Sequence, residues 1–258
     1  MWPVYGAGMI ASLMMYDRPE LAEANARYWA LIREALAARG VETPEVLSNE
    51  GDPYAVWNAP DLVLSQTCGM PYRVRLHGKV QIVGTPDFGL EGCPPGYYCS
   101  AVVVRADDPR AALEDYAQAR FAYNEALSQS GFAAIYAVAK AAGFWFEDRV
   151  VSHGHQRSAQ MVAMGEADIA AVDAQTWRLI ERYDGFAENL RVLCWTPPTP
   201  GLPYITGLGQ DAGAIADGVR AAIAALTAAD REALGVRGFE TIAADTYLAV
   251  ANPPEGAA

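Results

Sequence analysis

Three stretches of this chain gather residue types able to hold or transform a small molecule. The first, Asn124 to Phe132 (NEALSQSGF), takes the end of a strand into the start of a helix through Ser128, Gln129, Ser130 and Gly131. A serine at that point caps the helix. The unpaired N–H groups of the first turn, with the helix dipole behind them, also bind an anion without a cationic side chain. Spacing alone leaves both readings open. The second stretch, Val150 to Asp173 (VVSHGHQRSAQMVAMGEADIAAVD), puts His153, His155 and Ser158 at another strand-to-helix turn and ends a strand on Asp173. His155 can donate to an anion, and Asp173 can accept a proton from a protonated phosphoryl group or an amine. A satisfied structural histidine and a helix-capping aspartate are the plainer alternatives. The third is the polar turn QTCG, Gln66 to Gly69.

Catalysis finds less support in the same residues. Ser128 or Ser130 with His155 and Asp173 has the residue types of a hydrolytic triad, but GxSxG is absent. Cys68 with a histidine has those of a thiol nucleophile, although a cysteine at a strand end more often packs as a small apolar group. His153 and His155 share one strand face like metal ligands, yet no carboxylate or cysteine stands beside them at ligand spacing. The expectation is therefore no catalytic residue, no metal and no cofactor.

The elements around these stretches alternate. Strands are expected at Ile10 to Met14, Asp61 to Ser65, Val80 to Val83, Ala101 to Arg105, Arg120 to Tyr123, Val150 to Val151, Asp168 to Val172 and Arg191 to Trp195. Helices are expected up to Gly40, through Leu113 and Tyr116, from about Gln129 to Ala142, at Ser158 to Met164, and in the Ala-rich tracts at about Asp211 to Ala228 and Thr241 to Ala251. This order argues for α/β architecture with buried, mostly parallel strands. Extended passages near Tyr98 to Arg105 and Arg191 to Pro203, the latter containing TPPTPGLP, flank the middle series. They suggest two lobes, residues 1–100 with 200–258 and residues 101–199, with a ligand cleft between them outside the carboxyl ends of the strands.

Bulk properties narrow the partners. With 19 Lys+Arg against 31 Asp+Glu, a formal charge of −12 argues against nucleic acid and anionic membrane surfaces. No uninterrupted apolar run is long enough for membrane insertion, and Met1 to Asp17 lacks the basic n-region and cleavage site of a secretory signal. The four cysteines are too scattered for a disulfide scaffold, although Cys93 and Cys99 are near enough in sequence to pair or to remain reduced.

Several motifs in one order resemble the ABC-transporter solute-binding proteins for phosphate, phosphite and phosphonate, of the type II periplasmic-binding fold. They are ASLMMYD with Pro19-Glu20, PDLVLSQTCGMPY, GTPDFGLEGCPPGYYCS, NEALSQSGF and SHGHQRSAQMVAMGEADIAAVD, running from about Ile10 to Thr206. The resemblance implies a protein that captures a small anionic ligand by hinge closure, with an ABC transporter permease as partner and the periplasm as compartment. With no secretory signal in the first 17 residues, a mature exported form and a member that stays in the cytoplasm both remain open. It also implies that Tyr16, Gln66 and Thr67 line one lobe and that Ser128, Gln129, Ser130, Gly131, His155 and Asp173 face them, with SQSG as the phosphate-cradling loop. The sequence departs from the family at Met14, where a proline is usual, and at YAQARFAYN, where a Gly-bearing turn is usual. Two rivals follow: an enzyme on the same fold, and a binder of uncharged or amine ligands with Tyr16, Trp57, Tyr97 and Trp177 as an aromatic cage.

Overall fold

The computed structural model describes residues 8–258. Part of the Met1 to Asp17 stretch read for an export signal therefore lies outside the described residues. The chain divides into two compact units: unit 1 takes the chain up to Glu91 together with Pro200–Ala249, and unit 2 takes Gly92–Thr199 with Val250–Ala258. The first boundary falls nine residues before the expected one, after Glu91 and not after residue 100. The C-terminal tail, expected with the first lobe, packs on unit 2. There Trp145 Nε1 donates to Ala257 O (2.8 Å), and Ala257 lies against the apolar cluster around Phe121 and Phe132.

Unit 1 is built on a five-stranded sheet in the order Ile10–Ser12, Leu62–Gln66, Tyr204–Gly207, Val80–Asp87, Gly238–Glu240. Its long helix Ala22–Ala37 buries Tyr28, Trp29, Ile32 and Leu36, which recur at helical spacing. Against it lies Ala212–Ala225, where a Cβ on Gly218 would stand 2.5 Å from Leu36 Cδ2. The small residues of this tract thus serve close helix packing, as their abundance suggests. Its chain then turns into a second helix, Ala228–Leu234, and the last expected helix is confined to Ala244–Leu248. Among the described residues no single helix is long and apolar enough to cross a membrane.

Unit 2 has a sheet in the order Arg149–Val151, Phe121–Tyr123, Ile169–Asp173, Ser100–Arg105, Leu190–Trp195. Successive residues of Ser100–Arg105 point to opposite faces, and both faces are covered. Ala101 and Val103 join one core with Ala159, Val162, Trp177 and Ile180, while Val102 and Val104 join the other with Phe132, Ile135, Ala139 and Phe146. A strand buried on both sides reads as a continuous apolar run, which is why AVVV is legible as a central strand.

The strands are not mostly parallel. Parallel pairs are confined to Ile10–Ser12 with Leu62–Gln66, and to Phe121–Tyr123 with each of its neighbours. The remaining pairs of both sheets are antiparallel. In each unit the first full strand after the chain arrives from the other, Ser100–Arg105 or Tyr204–Gly207, runs opposite to both of its neighbours. Local alternation of strand and helix carries no information about the direction of a strand delivered by a long crossover.

Candidate ligand site

The helix after strand Phe121–Tyr123 begins at Gln129 and runs through Ala141, close to its expected span. Ser128 is its extended N-cap, and its Oγ accepts from Gly131 N (3.0 Å). The helix opens wide: Ala133 N donates to Ser128 O (2.9 Å), five residues back, before the ordinary ladder takes over. Such widened turns recur at functional sites because they leave backbone N–H groups ahead of the ladder. Phe132 and Ile135 anchor the turn from beneath by burial in the core. Gly131 is required by space. A Cβ there would lie 1.9 Å from Asn124 Oδ1 and 3.0 Å from His155 Cε1.

The second turn comes from strand Arg149–Val151. Ser152 N donates to Tyr123 O (2.8 Å), and the hydroxyls of Ser152 and Ser158 lie 2.6 Å apart, which fixes the turn to its neighbour and to its own helix. His153 takes a left-handed conformation (φ 66°), exposing its side chain and letting His155 open the helix His155–Ala163. His155 Nε2 then stands 2.9 Å from Ser130 Oγ. Desolvation lowers the His155 pKa to about 4, opposed only by the neighbouring Ala171 carbonyl. The imidazole is neutral at pH 7, so it supplies at most one N–H. Its Nδ1 is buried without a partner of hydrogen-bonding geometry, as is Asn124 Oδ1.

Asp173 ends its strand as expected and is 2% exposed. Its Oδ1 accepts from Thr176 N (2.8 Å), capping the helix Ala174–Tyr183. Asp173 pairs in register with Ser100, whose Oγ donates to Ser130 O (3.0 Å). Unit 2 therefore gathers Ser128, Gln129, Ser130, Gly131 and His155 directly, with Asp173 attached through Ser100. Ser100 and Asn124 are the two residues that sequence reasoning missed. Both lie at the ends of quoted motifs, but nothing in their spacing shows what they touch.

The Ser130–His155 contact resembles the first link of a hydrolytic triad, and the second link is missing. Nδ1 meets no carboxylate, and a base lowered to about 4 is poorly matched to proton abstraction near neutrality. Cys68 is buried at the start of the short turn Gly69–Pro71, while His77 in the same unit faces Tyr72 Oη at 3.4 Å. Cys93 and Cys99 are free thiols that face one another, and burial pushes the pKa of Cys99 up to about 12.

In unit 1 the strand expected to reach Met14 ends at Ser12, and the chain makes a tight turn at Met14–Tyr16. Tyr16 meets Phe88 edge-on (centroids 5.1 Å) and, with Gln66, Tyr28 and Tyr204, lines a small cavity of 30 Å³. Gln66 Nε2 donates to Leu202 O (3.1 Å), and Thr67 is packed inward, its N–H on Pro203 O (3.1 Å). The Tyr28 and Tyr204 hydroxyls lie 3.3 Å apart, and burial raises both pKa values, that of Tyr204 to about 12. Trp57 and Trp177 do not join an aromatic cage. Each is sunk in a hydrophobic core of a different unit, with Trp57 Nε1 held by Gln66 O (3.1 Å).

Residues 65–247 match the family described as ABC transporter, phosphonate, periplasmic substrate-binding protein. Among solved structures the chain resembles PhnD1 from Prochlorococcus marinus in complex with methylphosphonate, at 15% identity and a TM-score of 0.72, covering 93% of each chain. It also resembles a binding protein component of an ABC phosphonate transporter from Pseudomonas aeruginosa, at 14% identity and a TM-score of 0.65, covering 93% of this chain and 82% of that one. XAC2383 from Xanthomonas citri, bound to ATP, matches at 14% identity and a TM-score of 0.66, covering 92% of each chain. No curated protein sequence matches. These likenesses give a two-lobed α/β fold of the periplasmic-binding type. With the match over residues 65–247, the chain belongs to the phosphonate family of ABC-transporter periplasmic substrate-binding proteins.

Proposed function

We propose that this solute-binding protein captures a phosphorus oxyanion, a phosphonate or phosphate, on the helix entrance Ser128–Gly131 and presents it to an ABC permease from the periplasm. The observation that carries the reading is the widened first turn. Ser128 holds Gly131 N, the ladder starts only at Ala133, and the Ser130 hydroxyl rests on a neutral imidazole. Hydroxyls and N–H groups ahead of a helix stabilise anionic oxygens by roughly 1.5 to 3 kcal/mol each, so a handful support micromolar binding, about −8 kcal/mol after ordering costs. Tyr16, Gln66 and Thr67 add further contacts, the role their family motifs imply. Capture by hinge closure predicts a fall in radius of gyration when ligand is added.

A thermal-shift screen against phosphate, phosphite, methylphosphonate, 2-aminoethylphosphonate, sulfate and a panel of amines tests this. A ligand at 100 times its Kd stabilises by about 2.7 kcal/mol. A shift with a phosphorus oxyanion that vanishes in Ser130→Ala, His155→Ala supports the reading. Shifts confined to amines, or none at all, end it. The role requires no covalent step.

A further inference from the structure

Unit 2 begins at Gly92, and its first residues run GCPPGYYC before the central strand Ser100–Arg105. The sequence folds this stretch back on itself. Tyr97 N donates to Pro94 O (3.0 Å), with Pro95 and then Gly96 (φ 74°) at the centre, the order a type II turn asks for. Beyond the turn, Tyr97–Tyr98 pairs with Thr199–Pro200 in a short two-stranded ribbon, which holds the returning limb. The reversal brings the Cys93 and Cys99 side chains into hydrogen-bonding contact, thiol to thiol. Their surroundings differ: Cys93 is partly exposed and Cys99 is buried. Burial raises both pKa values, that of Cys99 to about 12, while the Cys99 S–H donated to the Cys93 sulfur acts the other way on Cys93 and favours its thiolate. An accessible sulfur backed by a buried thiol is the arrangement of an attacking and a resolving cysteine. Cys99 also borders the cradle. Its carbonyl accepts from Ala174 N (3.0 Å), and the next residue, Ser100, donates to Ser130 O.

We propose that Cys93 and Cys99 form a disulfide that closes a seven-residue ring and ties the entry of unit 2 to its central strand. The oxidant is an external disulfide, of the thiol–disulfide oxidoreductase or glutathione class, and only its supply in an oxidising compartment rests on the periplasmic reading above. The Cys93 thiolate attacks one sulfur of that disulfide and releases the other, which takes up the proton that Cys93 gave up. Cys99 then loses its proton and attacks the Cys93 sulfur of the mixed disulfide, forming the Cys93–Cys99 bond and releasing the second sulfur as a thiol. Two electrons and two protons thus pass to the external disulfide, which becomes two thiols. The closed ring takes freedom from the unfolded chain, so oxidation raises Tm by several degrees. Of the other thiols, Cys68 is buried in unit 1, and Cys194 pairs in register with Val102, further along the strand.

The test exposes the folded, reduced full chain to glutathione disulfide, alkylates it in denaturant and maps it with chymotrypsin, which cuts after Tyr97 and Tyr98 and so separates the two cysteines. We expect two of the four thiols to escape alkylation, a linked peptide pair joining Cys93 to Cys99, and the same link in Cys68→Ser, Cys194→Ser. Cys99→Ala should accumulate a glutathione adduct on Cys93, whereas Cys93→Ala should accumulate none on Cys99. The oxidised wild type should melt several degrees above its reduced form, and neither single variant should gain that shift. Four alkylated thiols, a link between any other pair, an adduct on Cys99 in place of Cys93, or equal melting of the two redox forms overturns the proposal. Methylphosphonate binding, measured on the same samples, reports separately on the oxyanion reading, and its failure leaves the disulfide standing.

Discussion

The two units place polar residues at strand ends by the same means and use them differently. In unit 1, Gln66 and Thr67 turn back on the Leu202–Pro203 segment, and Tyr28 and Tyr204 face each other, so these polar groups are engaged by the unit's own chain. In unit 2 the helix entrance is held open, Ser130 rests on an uncharged histidine, and Asn124 Oδ1 is buried without a partner. Polar groups already engaged give shape, while donors standing ahead of a ladder give recognition of charge. On the proposed reading, the anion is taken by the unit whose helix opens with a widened turn.

Breaking unit 2 should cost most. Gly131→Ala puts a methyl 1.9 Å from Asn124 Oδ1 and 3.0 Å from His155 Cε1. We expect at least a 100-fold loss of oxyanion affinity by calorimetry, with a fall in Tm of several degrees. Next comes the pH dependence of stability. The unfolded chain takes a proton on His155 near 6.5, and the folded chain does so only near 4. Stability therefore falls as pH drops from 6.5 to 4, by about 2 to 3 kcal/mol from this group. Denaturant melts of the wild type and His155→Gln at pH 7 and pH 4.5 check it, since the variant should lose that component. Ser130→Ala removes one hydroxyl from the cradle and should cost about 1 to 2 kcal/mol of binding, roughly a tenfold rise in Kd. The smallest effect is expected in unit 1. Gln66→Leu removes the bond to Leu202 O and should lower stability by about 1 kcal/mol, while shifting oxyanion affinity less than Ser130→Ala does. A larger affinity loss at Gln66 than at Ser130 would reverse the comparison.

Where local physics decides, the sequence was readable. The helix from Gln129 and the buried run at Ala101 to Val104 follow from a capping serine and an apolar stretch. The family motifs singled out Ser130 and His155, although the 2.9 Å contact between them joins segments 25 residues apart. Ser100 and Asn124 stayed hidden because their roles are purely long-range. One reaches Ser130 O across a strand pair, and the other matters through the Cβ that Gly131 lacks. Strand direction was misread for a related reason, since a crossover strand inherits its direction from the route of the chain. The tail was misassigned because an alanine-rich end looks featureless until Trp145 holds it.

That tail offers a built-in reporter. Trp145 sits among Phe121, Phe132 and Phe146, its indole N–H tied to Ala257 O, and Phe132 belongs to the same helix entrance as Ser130. Emission from this indole should register any loosening of the final residues and any rearrangement of the cradle. A protease that clips after Ala249 would thus darken or red-shift a signal from unit 2 while leaving the unit 1 tryptophans, Trp29 and Trp57, as an internal standard.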